Sequence, residues 1–522
     1  MSRARRRRFG VGVLALSAVL LSTAGLSAAA ASGRNGAARA GSRPSGTINV
    51  LQAAAAWPTL DPATNNQDAA DSQLMNAIYG GLFEFGPHGK VIPDLASGYR
   101  LTNGNKTLII TLRPHLRFAN GMPLTGADVA GSIKRDLLPS NGCICAADFA
   151  LLSSVTASGN KVTLQMKAPY SAVVHAFDDT APNWPYPMSL VRTKADAAKF
   201  EQLPVGAGPF GKVLRNTASA EVQLAANPYY WEKGKPALAR MNYTSVGDDQ
   251  SAYASLETGQ SQVAYLVSTI PVIKAAMRSS SVSVAALPAT FYEFVSFNTK
   301  IPPFNNEKAR KALLYATNAP ELVKNLYGGL FTVSQGPTAP GEPFYAPKVP
   351  GYPAYNLHKA KALVKQLGGL SFKLATTFNT TFWTTEAAYL TGMWSKAGIN
   401  ASVEANSLTE TLVQLQSGNW SALLSNWGAL DPGVALPTYF SSHGPFSGVH
   451  DAGLDALMNA GIAVANPTAR EKIYKRIYAD MASHAYADFL YSKPFFVLYS
   501  KKVNGISAKQ SDIFWEDVTL SR

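Results

Sequence analysis

The chain has 522 residues, 47% of them hydrophobic and 15% charged, and a formal net charge of +14. That length is enough for two or three lobes around a large core, and the composition excludes a disordered chain. Eight arginines and no acid precede Ser45, which leaves +6 for the remainder; its Lys and Arg are scattered rather than interleaved with aromatics, which argues against a nucleic-acid surface.

The N-terminus reads as an export signal. Arg5–Arg8 form a charged region, Val11–Leu21 an apolar one, and Ala28–Ala31 offer small-residue cleavage sites. The expectation is a signal peptide over residues 1–31 and a disordered leader over 32–45. The apolar stretch is too short to span a bilayer comfortably, and no second run of about 20 apolar residues follows. No Cys lies near the cleavage site, so an exported protein without a lipid anchor is expected.

Thr47–Leu51 reads as a first strand, followed by Leu60-Asp61-Pro62 and a helix from about Asp68 to Tyr79, stopped by Gly80-Gly81. Leu82–Phe85 and Pro87–Lys90 form a hairpin. After the polar turn Asn103-Gly104-Asn105, Thr107–Arg113 is β-branched and of strand length. Thr125, with Asp128 three residues on, opens a helix. The only cysteines, Cys143 and Cys145, are too few for a metal site and wrongly spaced for the usual redox pair; a small disulfide ring and a free pair both stay open. Lys161–Lys167 alternates as a half-buried strand, and Ser251–Gln262 reads as helix and loop.

Phe291–Phe297 is a further strand, with a helix from about Asn306 through Tyr315. Asn356 N-caps a helix to Leu367, with Gly368 as its stop. Phe372–Phe378 reads as a strand and Glu386–Gly398 as a helix. Ser407 and Glu410 make a capping box. Asn466-Pro467 starts a helix with Ile473, Ile477 and Met481 on one face, and Phe489–Tyr499 is apolar and β-rich. Strands alternating with helices predict α/β lobes.

Catalytic signatures are missing: there is no G-x-S-x-G, no H-E-x-x-H and no P-loop, and the seven His are isolated. His443 and His450 share a Gly/Ser-rich loop with Asp451, which reads more simply as polar surface than as metal ligands. What does stand out is Pro93–Val129. Leu112-Arg113, Phe118, Gly121, Pro123, Thr125, Asp128 and Val129 fall in an order and spacing that resembles the bacterial extracellular solute-binding proteins of the dipeptide/oligopeptide/nickel class, family 5. Tyr99, His115 and Asn120 depart from that pattern. Pro204–Phe210, Asn227–Trp231 and the run Phe297-Asn298-Thr299 through Leu313 resemble the same family.

The resemblance implies an α/β fold of the periplasmic-binding-protein type II kind. Two lobes would be joined by a two-crossing hinge: residues 46–297 with an extra subdomain, then 298–490, then 491–522 returning to the first lobe. It implies a monomeric receptor, without cofactor, metal or catalytic residues, that closes on a peptide or peptide-like solute. Peptides would bind extended, and the solute would pass to the permease subunits of a membrane ABC importer. A receptor for non-peptide solutes, a chaperone or sensor on the same fold, and a secreted hydrolase are the rival readings.

Family members usually carry W-x-A-D-Y-x-D-P where this chain has Trp427–Pro432, and in peptide binders the first Asp pairs with the ligand α-ammonium. Here the segment is two residues shorter, and Asp431 matches the second Asp. Either Asp431 takes the anchoring role or the ligand has no free amine there. The candidate ligand residues are Asp431, Trp427, Asn298, Trp57, Trp184, Phe378 and Trp383, with core packing as the competing role for the aromatics.

Overall fold

Two long antiparallel strands, Val282–Phe297 and Ala487–Ser500, tie the molecule together, paired from Val282 opposite Ser500 to Ser296 opposite Ala487 with two slips of register between. The computed structural model describes residues 43–54, 57–65, 69–217, 221–507 and 512–521, so the expected signal peptide lies outside it. The two strands run through one 11-stranded sheet that serves both lobes. On the first-lobe side Ala487–Ser500 pairs with Val263–Val267, and the sheet continues through Thr47–Gln52, Arg240–Ser245, Glu221–Ala225 and Lys212–Thr217. On the second-lobe side Val282–Phe297 pairs with Ala422–Gly428, then Leu370–Thr376 and Ile399–Ala405 follow in parallel.

The strand Val282–Phe297 ends at the lobe boundary expected at residues 297/298 and has different partners along its length. Phe291–Phe297 already pair with the second lobe, while Val282–Leu287 pair only with the returning strand, and the register slips between Leu287 and Phe291. A β-rich run such as Phe291–Phe297 gives no sign of which sheet it will join, because both partners are distant in sequence. Alternation along the strand sends Tyr292 and Phe294 to one second-lobe core and Val295 and Phe297 to another.

The extra subdomain is a four-stranded sheet ordered Ala96–Thr102, Thr107–Leu112, Lys161–Met166, Leu152–Ser158, covered by helix Gly126–Asp136. That helix starts where the sequence puts it: Thr125 and Asp128 form a reciprocal capping box. Ser407 and Glu410 do the same, and Asn356 and Asn466 cap their helices. Two elements are displaced from expectation: the strand is Leu370–Thr376 and the helix Thr381–Ser395 starts earlier, because Trp383 is buried against the second-lobe core. Cys143 and Cys145 are bridged.

Gly206-Ala207-Gly208-Pro209-Phe210-Gly211 has the spacing of a nucleotide-binding loop, but it leads into strand Lys212–Thr217 rather than a helix. Its glycines serve packing: a Cβ on Gly206 would lie 1.9 Å from the Ile78 carbonyl oxygen. No described helix is long and apolar enough to cross a membrane.

Candidate functional site

The second lobe is seated on the first-lobe subdomain. Leu430, Val434 and Ile462 join the apolar cluster of Phe85, Tyr170 and Phe177. The Ser171 N–H donates to the Ile462 carbonyl at 2.7 Å, and Asn105 Nδ2 donates to the Ala463 carbonyl at 2.9 Å.

Asp431 stands beside that contact but is not open to a ligand. It caps helix Pro432–Phe440, accepting from the Gly433 N–H at 2.8 Å, and both carboxylate oxygens take a hydrogen bond from Arg470 at 2.7 Å. The side chains are 1% and 7% exposed. Burial alone would raise the carboxyl pKa; the Arg470 charge and hydrogen bonds, helped by His175 and the Gly433 N–H, outweigh it and hold the group below its ordinary range. Of the two readings the sequence leaves for Asp431, the bidentate pair with Arg470 favours a ligand without an amine at this position.

The other six candidates fall into separate places. Trp57 packs edge-on to Tyr243, ring centroids 5.9 Å apart, in the first-lobe core. Trp184 shares that core and donates to Asn76 Oδ1 at 2.6 Å. Phe378 and Trp383 pack on each other at 5.7 Å in the second lobe. Asn298 shapes a turn, donating to the Gly418 and Trp420 carbonyls at 3.1 and 3.0 Å. Trp427 lies opposite Tyr292 in the sheet, 5.0 Å from the Tyr439 ring, and its buried Nε1 has no hydrogen-bond partner among the described residues. No common aromatic pocket results.

The residues that do converge were not among the candidates. Asp178 and Asp179 follow the buried turn Val173–Phe177, and Asn183 pins their loop by bonding both the N–H and the carbonyl of Phe83, at 3.0 and 2.9 Å. Asp512 arrives from the C-terminal segment. Gln73 holds it there, donating to its carboxylate and accepting from the Ile513 N–H at 3.0 Å. Carboxylate oxygens of Asp178, Asp179 and Asp512 lie within 4.8 Å of one another. They line a narrow space of about 30 Å³, whose described walls include Asp94 and Glu516 but no Lys, Arg or His.

Burial pushes the Asp512 carboxyl up to about 6. Burial first, then the neighbouring acids, push Asp178 and Asp179 well above the usual carboxylate range. From the second lobe Glu342, 2% exposed, adds its charge to Asp178. Glu342 Oε1, Asp178 Oδ1 and the hydroxyls of Tyr292, Tyr478 and Thr338 are buried without a partner among the described residues. An Asp doublet set between the apolar runs Val173–Phe177 and Ala181–Trp184 was the sequence signal for this site; Glu342 and Asp512 gave none. A second set, Asp451, Asp480 and His484, also has metal-like spacing, but Tyr486 donates to Asp451 at 2.5 Å.

Comparison with known proteins agrees with this architecture. Residues 90–446 match the family model described as bacterial extracellular solute-binding proteins, family 5 Middle. The glutathione-binding protein GsiB of Pectobacterium atrosepticum is 25% identical over 500 residues, covering 90% of this chain and 94% of that one. In structure, AgaA from A. tumefaciens R10, solved with agropinic acid, superposes with a TM-score of 0.76 at 21% identity over 91% of this chain and 99% of its own. The oligopeptide-binding protein AppA of Bacillus subtilis, solved with a nonapeptide, gives 0.75 at 20% identity over 92% and 100%. The chain therefore belongs to the family 5 bacterial extracellular solute-binding proteins.

Proposed function

We propose that this protein is an exported, monomeric receptor that closes its lobes over a peptide or peptide-like solute and hands it to an ABC importer, without chemical turnover. One observation carries the reading. Asp178, Glu342, Tyr292 and Tyr478 each bury a polar atom without a partner among the described residues, and the Glu342 charge reaches the other three. Native proteins rarely leave such groups unpaired, so a cleft that gathers them is built for a guest that supplies the partners. The names of the relatives support the solute class: glutathione for GsiB and a nonapeptide for AppA.

The mechanism is a shift between open and closed forms. A solute touching both lobes favours the closed form by its differential contacts, and the two hinge strands bend where their register slips, between Leu287 and Phe291. The test is native mass spectrometry of protein recovered from the exported fraction of its own host. The expected result is a stoichiometric small solute and a new N-terminus near the end of Ala28–Ala31. Protein that retains Met1, or that turns over a peptide or glycoside, would overturn the reading.

A further inference from the structure

We propose that Asp178, Asp179 and Asp512, completed by Glu342 from the second lobe, form the subsite that anchors an ammonium group of the solute. The inference rests on the receptor reading above and narrows it to solutes that carry a primary amine into the cleft.

Three observations carry it. The first is spacing. Three acceptors around a tetrahedral nitrogen, each about 2.8 Å away, sit roughly 4.6 Å apart. The trio's oxygens lie within 4.8 Å of one another, close enough for one ammonium to reach all three. The second is the unpartnered set. Asp178 Oδ1 and Glu342 Oε1 are buried with no hydrogen-bond partner among the described residues, and the Glu342 charge reaches Asp178 across the lobe boundary. The third is the missing counter-charge. No described Lys, Arg or His lines the space, and the cation nearest Asp431 is committed to it through two hydrogen bonds. Without a cation, burial and the neighbouring acids hold Asp178 and Asp179 well above the usual carboxylate range. An ammonium would let these acids ionise, and its three N–H donors can be shared among the trio.

The placement also accounts for the shortened Trp427–Pro432 segment. The one Asp of that segment, Asp431, is already bonded by Arg470. The carboxylates have been supplied from the other side of the cleft.

The test uses the mature full chain and calorimetry with three probes: free-amine trialanine, N-acetyl-trialanine, and N-acetyl-Ala-Lys-Ala. The two cationic probes should bind at least about tenfold tighter than the neutral one. Asp178→Asn should weaken the cationic probes about ten- to a hundredfold, the range for losing one charge-assisted hydrogen bond, and leave the neutral probe unchanged. It should also raise the melting temperature of ligand-free protein, since it removes one charge from a like-charged cluster; a residue that only holds the fold would lower it. Glu342→Gln serves as the second variant should Asp178→Asn fail to fold.

Equal affinity for neutral and cationic probes overturns the anchor, as does an Asp178→Asn protein that binds them as the parent does. So does stoichiometric binding of Ca2+ or Zn2+ alone that no amine displaces. If none of the probes binds, the solute released from the native protein decides. A solute with a basic nitrogen, lost from Asp178→Asn, supports the anchor; one without it overturns the anchor and leaves the receptor. No solute and no binding overturns the receptor reading itself.

Discussion

Replacing Arg470 by Met separates a structural role for Asp431 from a ligand role. The substitution removes both 2.7 Å hydrogen bonds to Asp431, and those to the Gly461 carbonyl and the Tyr474 hydroxyl, each at 3.1 Å. Asp431 would remain 1% exposed, with the Gly433 N–H and, at 3.6 Å, His175 Nδ1 as its remaining company. Leaving one member of a buried pair uncompensated costs about 3–5 kcal/mol, against a total stability of about 5–15 kcal/mol for a typical domain. Urea unfolding of the second lobe should register that loss. Asp431→Asn in the Arg470→Met background should recover much of it, giving a coupling of about 2 kcal/mol or more in the double-mutant cycle. The acid limb is a second readout. The folded carboxyl pKa of Asp431 is depressed, so its contribution is present above the unfolded value and is lost as pH falls through the folded one, below about 4. A cost under about 1 kcal/mol with an additive cycle would refute the reasoning. So would an Asp431→Asn protein that keeps its stability and loses its solute.

Gly206→Ala should destabilise by about 1–3 kcal/mol or more, read as a fall in melting temperature, because the new Cβ meets only backbone: the Ile78 oxygen and carbon at 1.9 and 2.5 Å and the Tyr79 Cα at 2.7 Å. An unchanged melting temperature would show that the segment relaxes freely. Val434→Asp places a charge in the apolar contact between the lobes and should enlarge the ligand-free protein in X-ray scattering while leaving its far-UV spectrum intact; an unchanged radius would mean that this contact does not hold the lobes together. Burial holds Asp512 at about 6 and Asp178 and Asp179 higher than usual, so the closed empty form is stabilised at low pH and loses that as pH rises through about 6 and beyond. Scattering should therefore show a more compact ligand-free protein at about pH 5 than at about pH 8, and the opposite order would sink the argument.

Local chemistry was legible in the sequence where one element decides its own boundary. Thr125 with Asp128 and Ser407 with Glu410 are capping boxes in both sequence and structure. Distant pairing was not legible. Nothing near Phe291–Phe297 says that this strand continues back to Val282 and is shared between lobes, since its partners lie at Ala422–Gly428 and Ala487–Ser500. The site suffers from the same limit. Asp431 draws attention by its motif, but its partner Arg470 is 39 residues away on another helix. Asp512 is held in place by Gln73, whose amide reaches across 439 residues of chain, a contact no spacing rule anticipates. Trp57, Trp184 and Trp383 are large apolar groups first, and the gain from burying them decided their places, with Phe378 half-buried against Trp383.

The division of carboxylates between lobes makes a kinetic prediction. Under the proposed anchor, Asp178, Asp179 and Asp512 are presented before closure and Glu342 arrives with the second lobe. Attraction of a cationic solute to the open form is then set by the trio, and the lifetime of the closed complex by the trio and Glu342 together. Screening grows with salt as the Debye length shrinks from about 30 Å at 0.01 M to about 8 Å at 0.15 M. In stopped-flow binding of N-acetyl-Ala-Lys-Ala, the association rate should fall over that range, and Asp178→Asn should reduce both the rate and its salt dependence. Glu342→Gln should leave association nearly unchanged and speed dissociation, because its charge joins only after capture. The reverse assignment, with Glu342→Gln slowing association and Asp178→Asn acting only on dissociation, would place first contact on the second lobe. It would refute the order of events drawn from where these four acids sit.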